Sequence, residues 1–293
     1  MTNPISHLYV GTARITRVEE MAGPAFRLST LFPDWDETIF HVHEDWLVPH
    51  YVNPEKMTAL LNMHSWILRF NGQTILVDTC IGNDKDRMPA EKWHQVQSPY
   101  LERLAQAGFE PEDIDMVMCT HLHVDHVGWN TRLLGGRWVP TFPNAKYIFS
   151  RTEFEHFQAN AADMDRISFD DSVLPIIEHG LAEMTDGNHV LGEGLLLEPA
   201  PGHTPGHVTL TLEAGNHNAI FTGDILHHPL QIHYPHWNSR FCSLPDEART
   251  SRRRVLEYCV ERDALLMPAH FGPPHCCKID RAGEAYSIRW YQN

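Results

Sequence analysis

The sequence predicts an α/β (α+β) fold in a single domain, residues 1–293. Short apolar runs that read as strands alternate with helical segments, several of those runs end in histidine or aspartate, and no linker divides the chain. In order, Asn71-Gly72 is a strong two-residue turn signal between the runs Met63 to Phe70 and Gln73 to Asp78, which predicts a β-hairpin. Ser98-Pro99 opens a helix that runs to Gly108, with proline where the first free backbone N–H would be and glycine at the stop. Asp115 to Thr120 and Lys146 to Ser150 read as strands, the second leading into a helix from Arg151 to Ala159. His207 to Leu212 alternates as a strand does, and Ala219 to Asp224 and Ala264 to His270 are further apolar strands. Between them Asp246 to Asp263 is a helix, with Val255, Leu256, Cys259 and Val260 at helical spacing. Residues 1–60, with several prolines and with Trp35, Trp46, His50, Tyr51 and Met57, read as an N-terminal extension that forms a lid or a homodimer contact rather than core.

The densest chemistry lies at Thr120-His121-Leu122-His123-Val124-Asp125-His126-Val127-Gly128. Imidazole and carboxylate together suit zinc and similar borderline ions and require no thiolate. The cluster sits on the loop leaving a strand. His121 and His123 can face one ion from the turn, and Asp125 and His126, displaced along the loop, can reach a second position beside it.

Three more segments carry ligand types at strand ends. Pro201-Gly202-His203-Thr204-Pro205-Gly206-His207 holds a histidine on a stiff Gly/Pro-punctuated loop, and His203 is the better ligand candidate of its two. Thr222-Gly223-Asp224 ends one strand and Ala269-His270-Phe271-Gly272 another. Rigid strands hold the residues at their ends to the tolerance a metal demands.

These four motifs in this order resemble the metallo-β-lactamase-fold hydrolase superfamily, and in pattern its lactonase and organophosphate-hydrolase branch. The resemblance runs from about Met63 to the C-terminus and implies a four-layer αββα sandwich. It implies further that His121, His123 and His203 hold one divalent ion, that Asp125, His126 and His270 hold another, and that Asp224 bridges them. Zinc is the expected metal, with iron, manganese and cobalt as alternatives. A hydroxide between the ions would be the nucleophile, since two cations lower the pKa of a shared water toward neutrality. Asp125 would shuttle the proton, and Asp78, ending the hairpin, would support the site through hydrogen bonds. The implied reaction is hydrolysis of a small lactone or ester, with phosphotriester hydrolysis as the alternative.

Other branches fit less well. A glutathione thioesterase carries an added C-terminal helical domain, and only Phe271 to Asn293 follows the last ligand. Secreted β-lactamases bring a signal peptide, and one subclass places cysteine where Asp224 stands. A mononuclear iron oxygenase needs open positions on its ion, whereas here a second ligand set is filled.

Composition narrows the partners. The chain has 23 lysines and arginines against 38 aspartates and glutamates, a formal net charge of −15, so no nucleic acid is expected and the superfamily's nucleases are disfavoured. Arg252-Arg253-Arg254 is its one basic cluster and reads as a solvated helix face. No apolar stretch is long enough to span a bilayer and the start lacks a signal core, so no membrane association and a cytoplasmic location are expected. Six cysteines without a Cys-x-x-Cys pair read as reduced thiols. For the small-molecule pocket the candidates are Trp129, just past the metal loop, and His227, His228, His233, Tyr234, His236 and Trp237, which follow Asp224.

Overall fold

The computed structural model describes residues 5–160 and 163–292. Two sheets pack face to face. The first runs in the order Ile5–Val10, Ala13–Arg27, Thr58–Phe70, Gln73–Val77, Met116–Met118, Lys146–Ser150, Ala182–Thr185, with Val52–Asn53 added beside Thr58–Phe70. The second runs His189–Gly192, Leu195–Pro199, Val208–Ala214, His217–Gly223, Leu265–Pro268, Cys277–Ala282, Ala285–Trp290.

Side-chain alternation along the strands builds three apolar layers. Trp66, Leu68, Ile75 and Met118 point between the sheets and meet Leu210, Leu212, Phe221 and Met267. Their neighbours Ile67, Leu76 and Val117 point outward under helix Tyr100–Gln106 and helix Arg151–Asn160, through Leu104 and Phe157. On the other side Ile220 and Leu266 meet Val255, Leu256 and Cys259 of helix Pro245–Arg262. The result is the expected αββα sandwich. Strands covered on both faces must be apolar at successive positions, which is why Met116–Met118 and Leu265–Pro268 read as continuous runs. At the hairpin, Asn71 and Gly72 both take positive φ, 49° and 79°, the conformation their two-residue turn needs.

Parallel pairing decides where the chemistry gathers. Gln73–Val77 pairs in parallel with Met116–Met118, and His217–Gly223 with Leu265–Pro268. Parallel neighbours end on the same edge, so Asp78 emerges with His121 from one sheet and Asp224 with His270 from the other, and the packing of the sheets sets the two edges side by side, His126 lying 2.8 Å from Asp78 and 3.2 Å from Asp224.

Two expectations are corrected. Of the expected extension over residues 1–60, of which 1–4 lie outside the described residues, residues 5–60 are not an appendage: Ile5–Val10 and Ala13–Arg27 are strands of the first sheet, and Leu8, Val10, Ala13 and Ile15 belong to the core between the sheets. The following stretch, with helix Glu37–Leu47, buries Leu28, Leu31, Phe32 and Leu47 against Leu230 and Trp237. Arg252 is not on a solvated face either. It is fully buried, its Nε donates to the Ile225 carbonyl at 2.9 Å and its Nη1 to that of Pro235 at 2.8 Å. Its two neighbours, Arg253 and Arg254, are exposed. No helix among the described residues is long and apolar enough to cross a membrane.

A buried ion cluster fastens helix Asp163–Ser172 to the loop after the hairpin. The Arg87 guanidinium grips Asp171 through both nitrogens, at 2.6 and 3.0 Å, and Lys85 Nζ donates to the Asp171 carbonyl at 3.1 Å. Burial pulls the Lys85 ammonium down to about 7. Removing one partner of a buried pair strands the other, at a cost of about 3–5 kcal/mol. Asp171→Ala should therefore lower the denaturation free energy by about that amount, read from the urea midpoint at unchanged slope. A loss under about 1 kcal/mol would show that Arg87 finds water or another acceptor.

Candidate metal centre

Seven side chains from four strand ends converge in one pit. His121 and His123 leave the strand Met116–Met118, and the chain then turns into the short helix Val124–Val127, which carries Asp125 and His126 and sets the His126 ring 4.0 Å from that of His121, centroid to centroid. This single turn splits the motif between two positions. In the first, His121 Nε2 lies 3.1 Å from His123 Nδ1, which lies 2.8 Å from His203 Nε2, and His203 Nε2 is 3.3 Å from Asp224 Oδ2. In the second, Asp224 Oδ1 lies 3.2 Å from His126 Nε2 and 2.9 Å from His270 Nε2, and Asp125 Oδ2 is 3.6 Å from the same His270 nitrogen. Asp224 thus turns one oxygen to each group.

Thr222-Gly223-Asp224 needs its glycine. Gly223 has φ of 48°, and a Cβ there would lie 2.4 Å from Thr120 Oγ1 and 2.8 Å from His207 Nε2. His207 itself faces backbone, its Nε2 accepting the Asp224 N–H at 3.2 Å, so it holds the Asp224 loop in place.

The donor set fits a pair of divalent cations. Imidazole nitrogens 2.8 Å apart cannot both carry protons, so at least one of the two turns a lone pair toward the other. Burial, aided by neighbouring imidazoles, keeps His121 and His203 well below their ordinary pKa. Burial also opposes charge on His126, yet Asp224, Asp78 and Asp125 raise it well above its usual value, and Asp224 with Asp125 raises His270. Burial alone would raise Asp224, but His270, His126 and His227 hold it well below the carboxylate range.

Supporting contacts orient the rings. Asp78 Oδ2 lies 2.8 Å from His126 Nδ1, and its two oxygens accept from Thr120 N at 2.7 Å and Thr120 Oγ1 at 2.9 Å. His270 Nδ1 lies 2.9 Å from the Asn62 carbonyl. Both contacts leave Nε2 free to face the pit.

Among the pocket candidates the structure separates one from the rest. His227 lines the cavity with Nε2 3.2 Å from Asp224 Oδ2, and Ser239 Oγ is 3.3 Å from the same nitrogen. Trp129, His228 and Tyr234 do not line it. The Trp129 indole N–H donates to Glu20 Oε1 at 2.6 Å and its ring stacks on Tyr100. His228 is fully buried with Nε2 3.1 Å from the Tyr51 carbonyl. Tyr234 OH lies 2.9 Å from His43 Nε2, and its ring stacks on Trp237. His233, His236 and Trp237 are likewise outside the lining. Instead Phe26, Trp93 and Phe241 form much of the wall. They come from segments remote from every ligand motif, so no local signal marks them.

A family model for the metallo-beta-lactamase superfamily matches residues 60–270. The N-acyl homoserine lactonase AttM of Rhizobium radiobacter is 27% identical over 199 residues, which cover 64% of this chain and 69% of that protein. An N-acyl homoserine lactonase of a Bacillus species is 33% identical over 110 residues, 38% of this chain, and the chain spans only 37% of that relative's length. In the solved structures, AidC, a dizinc quorum-quenching lactonase in complex with a product, superposes with a TM-score of 0.79 at 17% identity, covering 99% of this chain and 98% of AidC. The hydrolase AbOPH superposes with a TM-score of 0.83 at 19% identity, covering 100% of this chain and 99% of its own. Both likenesses show the shared fold.

Asp78→Ala should weaken metal uptake about 10–100-fold, because His126 loses the partner that fixes its tautomer and ring angle. Competition against a chromophoric chelator measures this. Unchanged affinity would mean that Asp78 serves only the backbone turn at Thr120.

Proposed function

The chain belongs to the metallo-beta-lactamase superfamily, and on that premise we propose that it is a hydrolase of small neutral lactones or esters that works with two divalent metal ions, zinc first among them. One observation carries this reading: two groups of donor atoms share Asp224, one oxygen each, at the floor of an open cavity of about 320 Å³. His121, His123 and His203 would hold one ion, Asp125, His126 and His270 the other. When bound, the ions would lower the pKa of a water between them toward neutrality and polarise a carbonyl oxygen.

The chain's own residues would do the rest. Asp224 would set the spacing of the two positions. Asp125, which lines the cavity, would take the proton from the attacking water and return it to the alkoxide as the acyl C–O bond breaks. His227, beside Asp224 in the wall, would orient the substrate through Nε2. The wall above is largely apolar, made by Phe26, Leu61, Met63, Trp93, Val124 and Phe241 with Asp165 and Ser243, and among the described residues no lysine or arginine lines it. Such a wall favours a neutral substrate with an acyl or aryl group. A neutral phosphotriester meets the same requirement and is the second reading. All six cysteines are free and five are buried, in keeping with a reducing, cytoplasmic setting.

The purified protein should take up two divalent ions per chain by elemental analysis, and should hydrolyse acyl lactones or aryl esters ahead of phosphotriesters and a β-lactam under one set of conditions. Saturation at one ion with full activity would overturn the two-ion reading, and preference for the phosphotriester would promote the alternative. Asp224→Ala should lower turnover at least about a hundredfold even where metal remains, since a displacement near an ångström at the reacting atoms costs that much. Near-wild-type turnover in the folded variant would remove Asp224 from its shared role.

A further inference from the structure

Two buried carboxylates stand outside the ligand set, one behind each group of donors. Glu153, on helix Arg151–Asn160, accepts the Leu122 N–H on Oε1 at 3.1 Å and the Gly206 N–H on Oε2 at 2.8 Å. Leu122 lies between His121 and His123, and Gly206 belongs to the loop that carries His203. One carboxylate therefore joins the two loops of the three-histidine group. Contact is close enough that a Cβ on Gly206 would lie 2.1 Å from the Glu153 backbone nitrogen.

Glu20, on strand Ala13–Arg27, serves the other group. Its Oε2 accepts the Ile81 N–H at 2.8 Å, while Oε1 accepts from Gly82 N at 3.1 Å, Ser98 Oγ at 3.0 Å and Trp129 Nε1 at 2.6 Å. The segment it grips is laced to the chain around His126. Thr79 N–H donates to the His126 carbonyl at 2.8 Å, Gly128 N–H to that of Cys80 at 2.7 Å, and Trp129 N–H to that of Thr79 at 2.8 Å. A Cβ on Gly128 would lie 1.8 Å from the Ile81 carbonyl oxygen, so nothing larger than glycine allows this approach.

Both carboxylates are almost completely buried, and neither forms an ion pair with lysine or arginine among the described residues. Burial raises both, Glu153 to about 7. A buried carboxylate of this kind is costly unless its oxygens are filled. Here they are filled for Glu153 by backbone N–H groups of two ligand-bearing loops, and for Glu20 by the Ile81 and Gly82 N–H groups together with Ser98 and Trp129, so the placement specifies loop position rather than charge balance.

We propose that Glu153 and Glu20 are positioning residues for separate halves of the metal centre, Glu153 governing the ion held by His121, His123 and His203, and Glu20 the ion held by Asp125, His126 and His270. This rests on the two-ion reading above. An isosteric Gln keeps one acceptor oxygen but turns an NH₂ toward a backbone N–H. Glu153→Gln then releases one of its two loops, and Glu20→Gln, with its oxygen kept by Gly82, Ser98 and Trp129, loses the Ile81 N–H and loosens the segment after Asp78.

The experiment uses the full chain, stripped with chelator and titrated with zinc, and follows histidine ring nitrogens by ¹⁵N NMR. His123 turns Nδ1 to its group, whereas His126 and His270 turn Nε2, so the two halves have separate signatures. In Glu153→Gln the His123 Nδ1 signature should need about 10–100-fold more free zinc while those of His126 and His270 stay as in wild type, and Glu20→Gln should show the reverse. If Glu20→Gln does not fold, Trp129→Phe removes one donor to Glu20 and keeps the ring on Tyr100, with the same selective loss expected. Uptake of two ions by wild type together with equal losses at both halves, or none, in the variants overturns the proposal alone. Saturation of wild type at one ion overturns the two-ion reading and the Glu20 half with it.

Discussion

The structure answers to one electrostatic constraint: nitrogen and oxygen atoms from seven side chains face one another in a buried pit. His123 Nδ1 and His203 Nε2 are 2.8 Å apart, and Asp224 Oδ1 and His270 Nε2 are 2.9 Å apart. Without a cation the arrangement is held only by shared protons and by the scaffold. With cations it becomes favourable, so the scaffold has to hold the donors in place beforehand. Rigid strand ends meet that need better than free loops, and parallel pairing places several such ends on one edge.

A second tier of polar contacts then fixes the angle of each donor. Asp78 and the Asn62 carbonyl occupy the far nitrogens of His126 and His270. His207 holds the Asp224 backbone, and Glu153 and Glu20 hold the loops themselves. Three glycines, Gly128, Gly206 and Gly223, let these segments approach closer than any side chain would permit. Stability and function therefore draw on the same residues, and a substitution behind the pit reaches the chemistry through ring angle and loop position.

The wall of the cavity follows a different logic. Phe26 comes from the strand Ala13–Arg27, Trp93 from the loop after the hairpin, and Phe241 from the stretch before helix Pro245–Arg262. Because the first strands are woven into the sheet, the N-terminal segment supplies a fixed wall here. Helix Asp163–Ser172 brings Asp165 to the same rim and is fastened by Asp171 to buried Arg87 and Lys85. The floor presents donors for cations and the wall presents apolar surface, a division suited to a neutral substrate with one polar reacting group.

Much of the fold and of the candidate donor set was legible in the sequence because both are written locally. Asn71-Gly72 selects its turn from two residues, strands covered on both faces must be apolar, and a histidine-rich stretch after a strand announces ligands within six positions. What only the tertiary structure decided is the partner of each remaining polar or aromatic group. Trp129 beside the metal loop looked like a pocket residue and instead donates to Glu20, 109 positions away, while His228 is taken by the Tyr51 carbonyl, 177 positions away. Arg252, one of three arginines in a row, is drawn inward by the carbonyls of Ile225 and Pro235, while Arg253 and Arg254 are exposed, Arg254 donating to the Pro199 carbonyl at the surface. A side chain's type fixes what it can bind, but which atoms stand opposite it depends on how distant strands pack, and no local pattern encodes that.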